Sequence, residues 1–348
     1  MKRFILIAIT FLTASLGAHA QKFTTRLDSG EQLCFQITDT TQKAVEIVRV
    51  KLLGNAQPTL PSGDLAIPST VKYKNTVYTV VSIGESAFAG AEGLNSVSIP
   101  SSVRQIGDRA FSGCTGLQSI VFPANTPSIG ENAFEKCQSL TSLSFGSDWT
   151  AVDFHLFSDS ESLKEVFIPA RIMRINGIKK LAALERIEVD ANNKLFSSHD
   201  GLLYSKDGLT LYACPDSKGG LVAVQEGTKT ILDGALRNCS KIEGVLFLSS
   251  VHDLAYDEFT GCDSLKEITF LSEVPPMTGK WNGAAVFALV APNQYCIIQV
   301  PRKLISRYQT SLCSSEGVYE TMKGAREANL SSGKLMDKSS LHKVKANS

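Results

Sequence analysis

The sequence predicts a β-rich repeat solenoid rather than one or two globular domains. Two observations carry this: a 23-residue period in the apolar positions, and a short alternating strand pattern inside each period. Composition agrees, since 43% hydrophobic and 20% charged residues over 348 positions can line a continuous interior. A stacked array grows by adding turns, so length sets no limit on its core.

In chain order, residues 1–20 read as an export signal. Lys2 and Arg3 precede an apolar run from Phe4 to Ala14, and Ala18-His19-Ala20 supplies the small residues a signal peptidase reads, with cleavage before Gln21. The run is shorter than the ~20 residues a spanning helix requires. The first cysteine is Cys34, so no lipid attachment is expected at the cleavage point. No later segment is long and apolar enough to span a bilayer. The expected destination is the outside of the cell or its outer surface, with the periplasm as the second location.

Residues 21–80 lack the phenylalanine register. They contain alternating stretches, Gln32–Ile37 and Val45–Val50, and a further one from Ala66 to Val71. We read them as an N-terminal β cap, because an uncapped solenoid would expose an open sheet edge and core.

Residues 81–273 form the array. Phe88, Phe111, Phe134 and Phe157 are each 23 apart, and three other columns keep step with them: Leu94, Leu117, Leu140, Leu163; Ile99, Phe122, Phe145, Ile168; and Ile83, Ile106, Ile129, Val152. A shorter turn follows, in which Leu184 and Val189 come 21 after their counterparts. The period then returns in Leu236 and Phe259, Ile242 and Leu265, Phe247 and Phe270. The L-x-x-I-x-F segment alternates, as a strand with one buried face must. Pro100, Pro123 and Pro169 end such strands because proline cannot continue a ladder. Gly84, Gly107 and Gly130 are expected to serve a turn with positive φ. Stacking turns at ~4.8 Å makes a parallel sheet along one side of the core.

The unit I-G-x-x-A-F-x-x-C-x-x-L-x-x-I-x-F-P, as it stands from Ile106 to Pro123, resembles the BspA-type leucine-rich repeat of bacterial surface proteins, frequent in Bacteroides-like organisms. The resemblance covers roughly residues 23–322. It implies a right-handed leucine-rich-repeat solenoid with ~23-residue turns, an N-terminal β cap and a C-terminal cap.

At about residues 192–224 a hairpin interrupts the period. Leu202–Ser205 and Leu209–Tyr212 flank Lys206-Asp207-Gly208, and Asp-Gly between apolar runs is a hairpin signal. The stretch Asp200–Gly208 also resembles an insert that recurs in the family. Residues 274–324 are expected to form the C-terminal cap, with a last strand at Cys296–Pro301 and a short helix from Arg302 to Gln309. The polar tail, 325–348, has the composition of a disordered segment.

Of eight cysteines, Cys114, Cys137, Cys239 and Cys262 occupy one repeat column, shared with Ala91 and Ser160. A small buried position is the simpler reading, since thiols are among the most buried side chains. Cys296 and Cys313 in the C-terminal cap are the pair better placed to form a disulfide. Neither C-x-x-C nor H-E-x-x-H occurs, and the five histidines are scattered, so neither a metal nor a cofactor is expected. No G-x-S-x-G or phosphate loop is present. A net charge of +1 without a basic cluster argues against nucleic-acid binding.

What remains is surface. Alternate strand residues face outward: Ser96 and Ser98, Ser119 and Val121, Ser142 and Ser144, then Glu165 and Phe167, Arg186 and Glu188, Gly244 and Leu246, Glu267 and Thr269. An aromatic among charges is the chemistry of a contact site. Glu165, Phe167, Arg186, Glu188, Leu246 and Glu267 are therefore the candidate ligand-contact face. The expected function is non-catalytic binding, by a monomer, of an extracellular macromolecule such as a host matrix protein, with a glycan as a second partner class. The resemblance to adhesive surface proteins implies the same. A structural scaffold of the envelope is the alternative, favoured by the serine-rich turns.

Overall fold

In the computed structural model, the described residues are 8–9, 21–27, 30–49, 60–125, 127–255, 258–272, 274, 277–278 and 297–300. They form a β-solenoid of about eight turns at ~23-residue spacing. Helix is confined, among the described residues, to two short 3-10 turns, Phe154–Phe157 and Ile178–Lys180. The chain divides into two compact units, Met1–Leu184 with Val189–Lys194, and Glu185–Glu188 with Leu195–Ser348.

The first unit opens with an antiparallel meander, Lys22–Arg26, Gln32–Asp39 and Ala44–Val48. Alternation places Phe23, Leu33, Phe35, Val45 and Ile47 in the core. The Phe23 ring stacks on Tyr73 at 4.3 Å and on Phe35 at 5.5 Å. Ala8–Ile9, inside the expected leader, pairs antiparallel with Thr24–Thr25. Ala44–Val48 then pairs parallel with Thr76–Ile83, which hands the ladder on to Gln105–Ile106 and Ser128–Ile129. A second, wholly parallel sheet runs through Gly63–Ala66, Leu94–Ser98, Ser119–Val121 and Ser142–Ser144. Gly63–Ala66, within the stretch read as cap, is therefore already a member of the repeat ladder.

Between the two sheets the repeat columns become physical stacks. Phe88, Phe111, Phe134 and Phe157 are buried with successive ring centroids 5.0, 5.3 and 5.3 Å apart. Each stacked pair contributes ~0.5–1.5 kcal/mol beyond its area burial. Main-chain bonds stitch the turns together: Phe88 N–H donates to Ala110 O and Phe111 N–H to Ala133 O, both at 2.8 Å. Trp149 closes the aromatic core, its Nε1–H donating to Pro123 O at 3.1 Å.

One expectation is corrected. Gly84, Gly107 and Gly130 do not have positive φ; that conformation falls two residues later, on Ser86, Arg109 and Asn132 (φ 53°, 52° and 54°). The Ile-Gly glycines are required by the closeness of the neighbouring turn. A Cβ on Gly107 would lie 2.6 Å from Glu85 N and 2.8 Å from Gly84 C, and one on Gly130 would lie 2.5 Å from Asp108 N. A different column, Gly90 and Gly113, carries the true left-handed positions at φ 75° and 74°.

In the second unit the predicted hairpin is one part of a three-stranded meander. Phe196–His199, Leu202–Ser205 and Thr210–Ala213 pair antiparallel in succession. Both Asp-Gly pairs make the turns: Asp200 and Gly201 have φ 50° and 76°, and Gly208 has φ 72°. Asp207 Oδ1 accepts from Ser205 Oγ at 2.6 Å and from Leu209 N–H at 3.0 Å, closing the second turn. Thr210–Ala213 then pairs parallel with Thr230–Ile231, so the insert feeds back into the repeat ladder. The companion parallel sheet joins Gly220–Ala223, Ile242–Phe247, Glu267–Phe270 and Ile297–Gln299. Its core includes Tyr204, Leu236, Phe247, Phe259, Leu265 and Phe270. The helix expected at Arg302–Gln309 and the tail 325–348 lie outside the described residues.

Candidate ligand-contact face

Repeat register determines what the outer face of each sheet displays. In the first unit Asp64, Ser96, Ser119 and Ser142 stand in one row of paired positions, and Ala66, Ser98, Val121 and Ser144 in the next. The first row opens with a hydrogen bond from Ser96 Oγ to Asp64 Oδ1 at 2.7 Å. Val121 is 46% exposed in an otherwise small, hydroxylic surface. The strand Glu165–Ile168 repeats the pattern with larger groups: Val166 and Ile168 are buried, Glu165 is exposed, and Phe167 is 50% exposed.

The other four nominated residues lie in the second unit. Arg186 and Glu188 share one strand face, and the guanidinium meets the carboxylate at 2.6 Å. The pair is only partly buried, so it contributes little to stability, and each charge already has a partner. Arg186 is seated by the insert: Ile187 N–H donates to Gly201 O at 2.9 Å, and a Cβ on Gly201 would come within 3.0 Å of Arg186 Cγ. Leu246 is half-buried and Glu267 accepts from Thr269 Oγ1 at 2.9 Å. Gly244 is buried, because Leu221 lies across it; a Cβ there would sit 2.9 Å from Leu221 Cδ1. Leu221, 51% exposed, is more exposed than Leu246, and sequence reasoning missed it. The signal was present only in register, since a glycine facing outward on one strand lets the neighbouring strand's side chain lie flat.

The cysteine column is part of the core. Cys114, Cys137, Cys239 and Cys262 are buried thiols, joined there by Cys214. Cys114 Sγ donates to Phe88 O at 3.3 Å and Cys262 Sγ to Leu236 O at 3.2 Å. Burial pushes the Cys114 thiol up to about 12 and raises Cys137 further, which suppresses the reactive thiolate. Cys296 and Cys313 lie outside the described residues.

Asp153 and His155 form a close histidine–carboxylate pair with a local role. Asp153 Oδ1 caps the turn Phe154–Phe157, accepting from His155 N–H at 3.0 Å and lying 2.7 Å from Nδ1. Burial raises the Asp153 carboxyl, but hydrogen bonds from His155 and Asn176 outweigh it and hold the group below its usual value. Gly177, with φ 67°, leaves the space the imidazole occupies. This is a turn cap. Among the described residues no group of three His, Cys, Asp or Glu side chains could hold a metal ion, and no helix is long and apolar enough to cross a membrane.

The arrangement is that of a repeat scaffold with displayed faces, and the comparisons agree. The BspA-type leucine-rich-repeat region matches in six copies over residues 70–197 and 220–279, more than half of the chain. The chain belongs to this family. Among solved structures it is similar to the pneumococcal vaccine antigen PcpA, at 19% identity and TM-score 0.51 over 70% of this chain and 69% of that one. A leucine-rich-repeat protein from Bacteroides ovatus shares 20% identity over 70% of each chain, with TM-score 0.43. A leucine-rich cell surface protein from Faecalibacterium prausnitzii shares 20% over 68% of this chain and 80% of that one, with TM-score 0.39. At such identities the likeness to PcpA speaks for the fold alone. No curated protein matches in sequence. Leucine-rich-repeat folds are typically non-catalytic scaffolds that mediate protein interactions.

Proposed function

We propose that this protein is exported and binds an extracellular macromolecule, a host matrix protein being the first class to test, through the outer faces of its parallel sheets. The observation that carries the reading is Phe167: a half-exposed aromatic beside Glu165 on a strand whose alternate residues are fully buried. Aromatic anchors held by a rigid element supply most of the energy at protein interfaces. Leu221 over Gly244, with Leu246 beside it and the Arg186–Glu188 pair, gives the second unit a face of similar chemistry. The description of PcpA as a vaccine antigen supports the direction without supplying a partner.

The test is binding of the full exported chain to immobilised matrix proteins, with Phe167→Ala alone and combined with Arg186→Ala and Leu221→Ala. Truncating a genuine anchor costs more than ~1 kcal/mol, hence at least about fivefold in Kd. Saturable binding unchanged in the triple variant would refute the choice of face. The scaffold reading draws on the hydroxylic rows from Ser96 to Ser144, and a stable envelope partner together with no affinity for external ligands would favour it.

A further inference from the structure

Glu258 is fully buried, and it occupies the position held by Ala87, Ala110, Ala133 and Ala235 in other turns. In the regular turns the N–H groups flanking that position donate to main-chain carbonyls of the next turn: Ser86 N–H to Asp108 O at 2.9 Å, and Phe88 N–H to Ala110 O at 2.8 Å. In the turn before Glu258 the equivalent donors do something else. Gly234 N–H donates to Glu258 Oε1 at 2.7 Å and Leu236 N–H to Oε2 at 2.9 Å. Here both donors are taken by one titratable side chain. The regular stitching resumes at Asn238, whose N–H donates to Thr260 O at 2.7 Å.

We propose that Glu258 is a protonation-sensitive latch between these two turns, closed most firmly when its carboxyl is neutral and loosened when it ionises. The physical reason is asymmetry of solvation. A buried carboxylate has only two N–H groups in place of water, whereas an opened turn hydrates it fully. Among the described residues the charged groups facing it are Asp233 and Arg237 of the preceding turn, themselves paired at 3.0 Å, so neither sign dominates. The thiols of Cys239 and Cys262 lie in the same core. Burial pushes the carboxyl up to about 7 from 4.5, against the lowering effect of the Leu236 and Gly234 bonds. A folded value above the unfolded one means the folded turn prefers the proton. The stabilisation is therefore complete below about 4.5, is lost as pH rises toward 7, and changes no further above it.

Hydrogen exchange followed by mass spectrometry on the full chain, at pH 4.5 to 8 and corrected for intrinsic rates, reads this directly. In peptides covering 231–242 the opening constant should rise by roughly two orders of magnitude across that window. Peptides from the first unit serve as the reference. Glu258→Ala restores the residue other turns carry, and Glu258→Gln removes only the charge; both should abolish the slope, and either suffices if the other fails to fold. Both variants retain His252, so a slope arising from that side chain would persist in them. A flat profile in the parent protein, or a slope that survives both substitutions, would overturn the proposal.

Discussion

Replacing Gly107 with alanine tests whether this column is glycine because of turn stacking. Gly107 lacks positive φ, so backbone conformation alone predicts a mild effect, or even a gain from a less flexible unfolded chain. Geometry predicts the opposite. The added methyl would meet Glu85 N at 2.6 Å, Gly84 C at 2.8 Å and Glu85 Cα at 3.1 Å, all main-chain atoms of the adjacent turn. They can retreat only by parting the turns, which stretches bonds such as Gly107 N–H to Ile83 O at 2.7 Å. Overpacking of this kind costs ~1–3 kcal/mol. At Gly113 the position is reversed: φ is 74° and the nearest atoms to an added Cβ are 3.7 Å away. There an alanine pays for the left-handed backbone, ~1–2 kcal/mol, whereas asparagine is tolerated. Urea unfolding with constant m should therefore show Gly107→Ala and Gly107→Asn both destabilised, and Gly113→Asn close to the parent. Equal stability of Gly107→Ala and the parent, or equal damage from asparagine at both sites, would refute the reasoning.

Other outcomes follow from the same structure. Phe111→Ala removes the middle ring of a stack spaced 5.0 and 5.3 Å and should cost ~3–5 kcal/mol by chemical denaturation. Arg109→Gly should relieve a φ of 52° and leave stability within ~1 kcal/mol of the parent, unlike any change at Gly107. Cys114, with its thiol pushed up to about 12, should resist thiol reagents in the native protein at pH 8 and react on unfolding; rapid native labelling would contradict its burial. Phe167→Ala should leave the melting temperature within the range of a neutral surface change, ~0.5 kcal/mol, because its ring is not core.

The parts of the fold legible in the sequence were those set by periodicity within one turn. The phenylalanine column, the L-x-x-I-x-F strand and its terminal proline repeat often enough to be read from spacing, and the rings of Phe88 to Phe157 stack accordingly. What escaped reading depends on contacts between turns. The Ile-Gly glycines look like turn glycines until the neighbouring backbone is placed 2.6 Å away. The strand Phe196–His199 was missed because its alternation is weak and its partner is supplied by the insert. Leu221 gains importance only through the outward Gly244 beside it in register. Glu258 belongs by sequence to an Asp-Glu pair in a connecting segment, yet it is buried because column position overrides residue type. The nominated contact residues were legible by face, but the 2.6 Å pairing of Arg186 with Glu188 was not.

The central claim is that the sheet faces meet molecules outside the cell. Protease treatment of intact source cells, followed with an antibody to the repeats and a periplasmic control protein, tests it most directly. The repeats should be destroyed while the control survives. Protection of the repeats until the outer membrane is opened would contradict it and leave the envelope scaffold in its place.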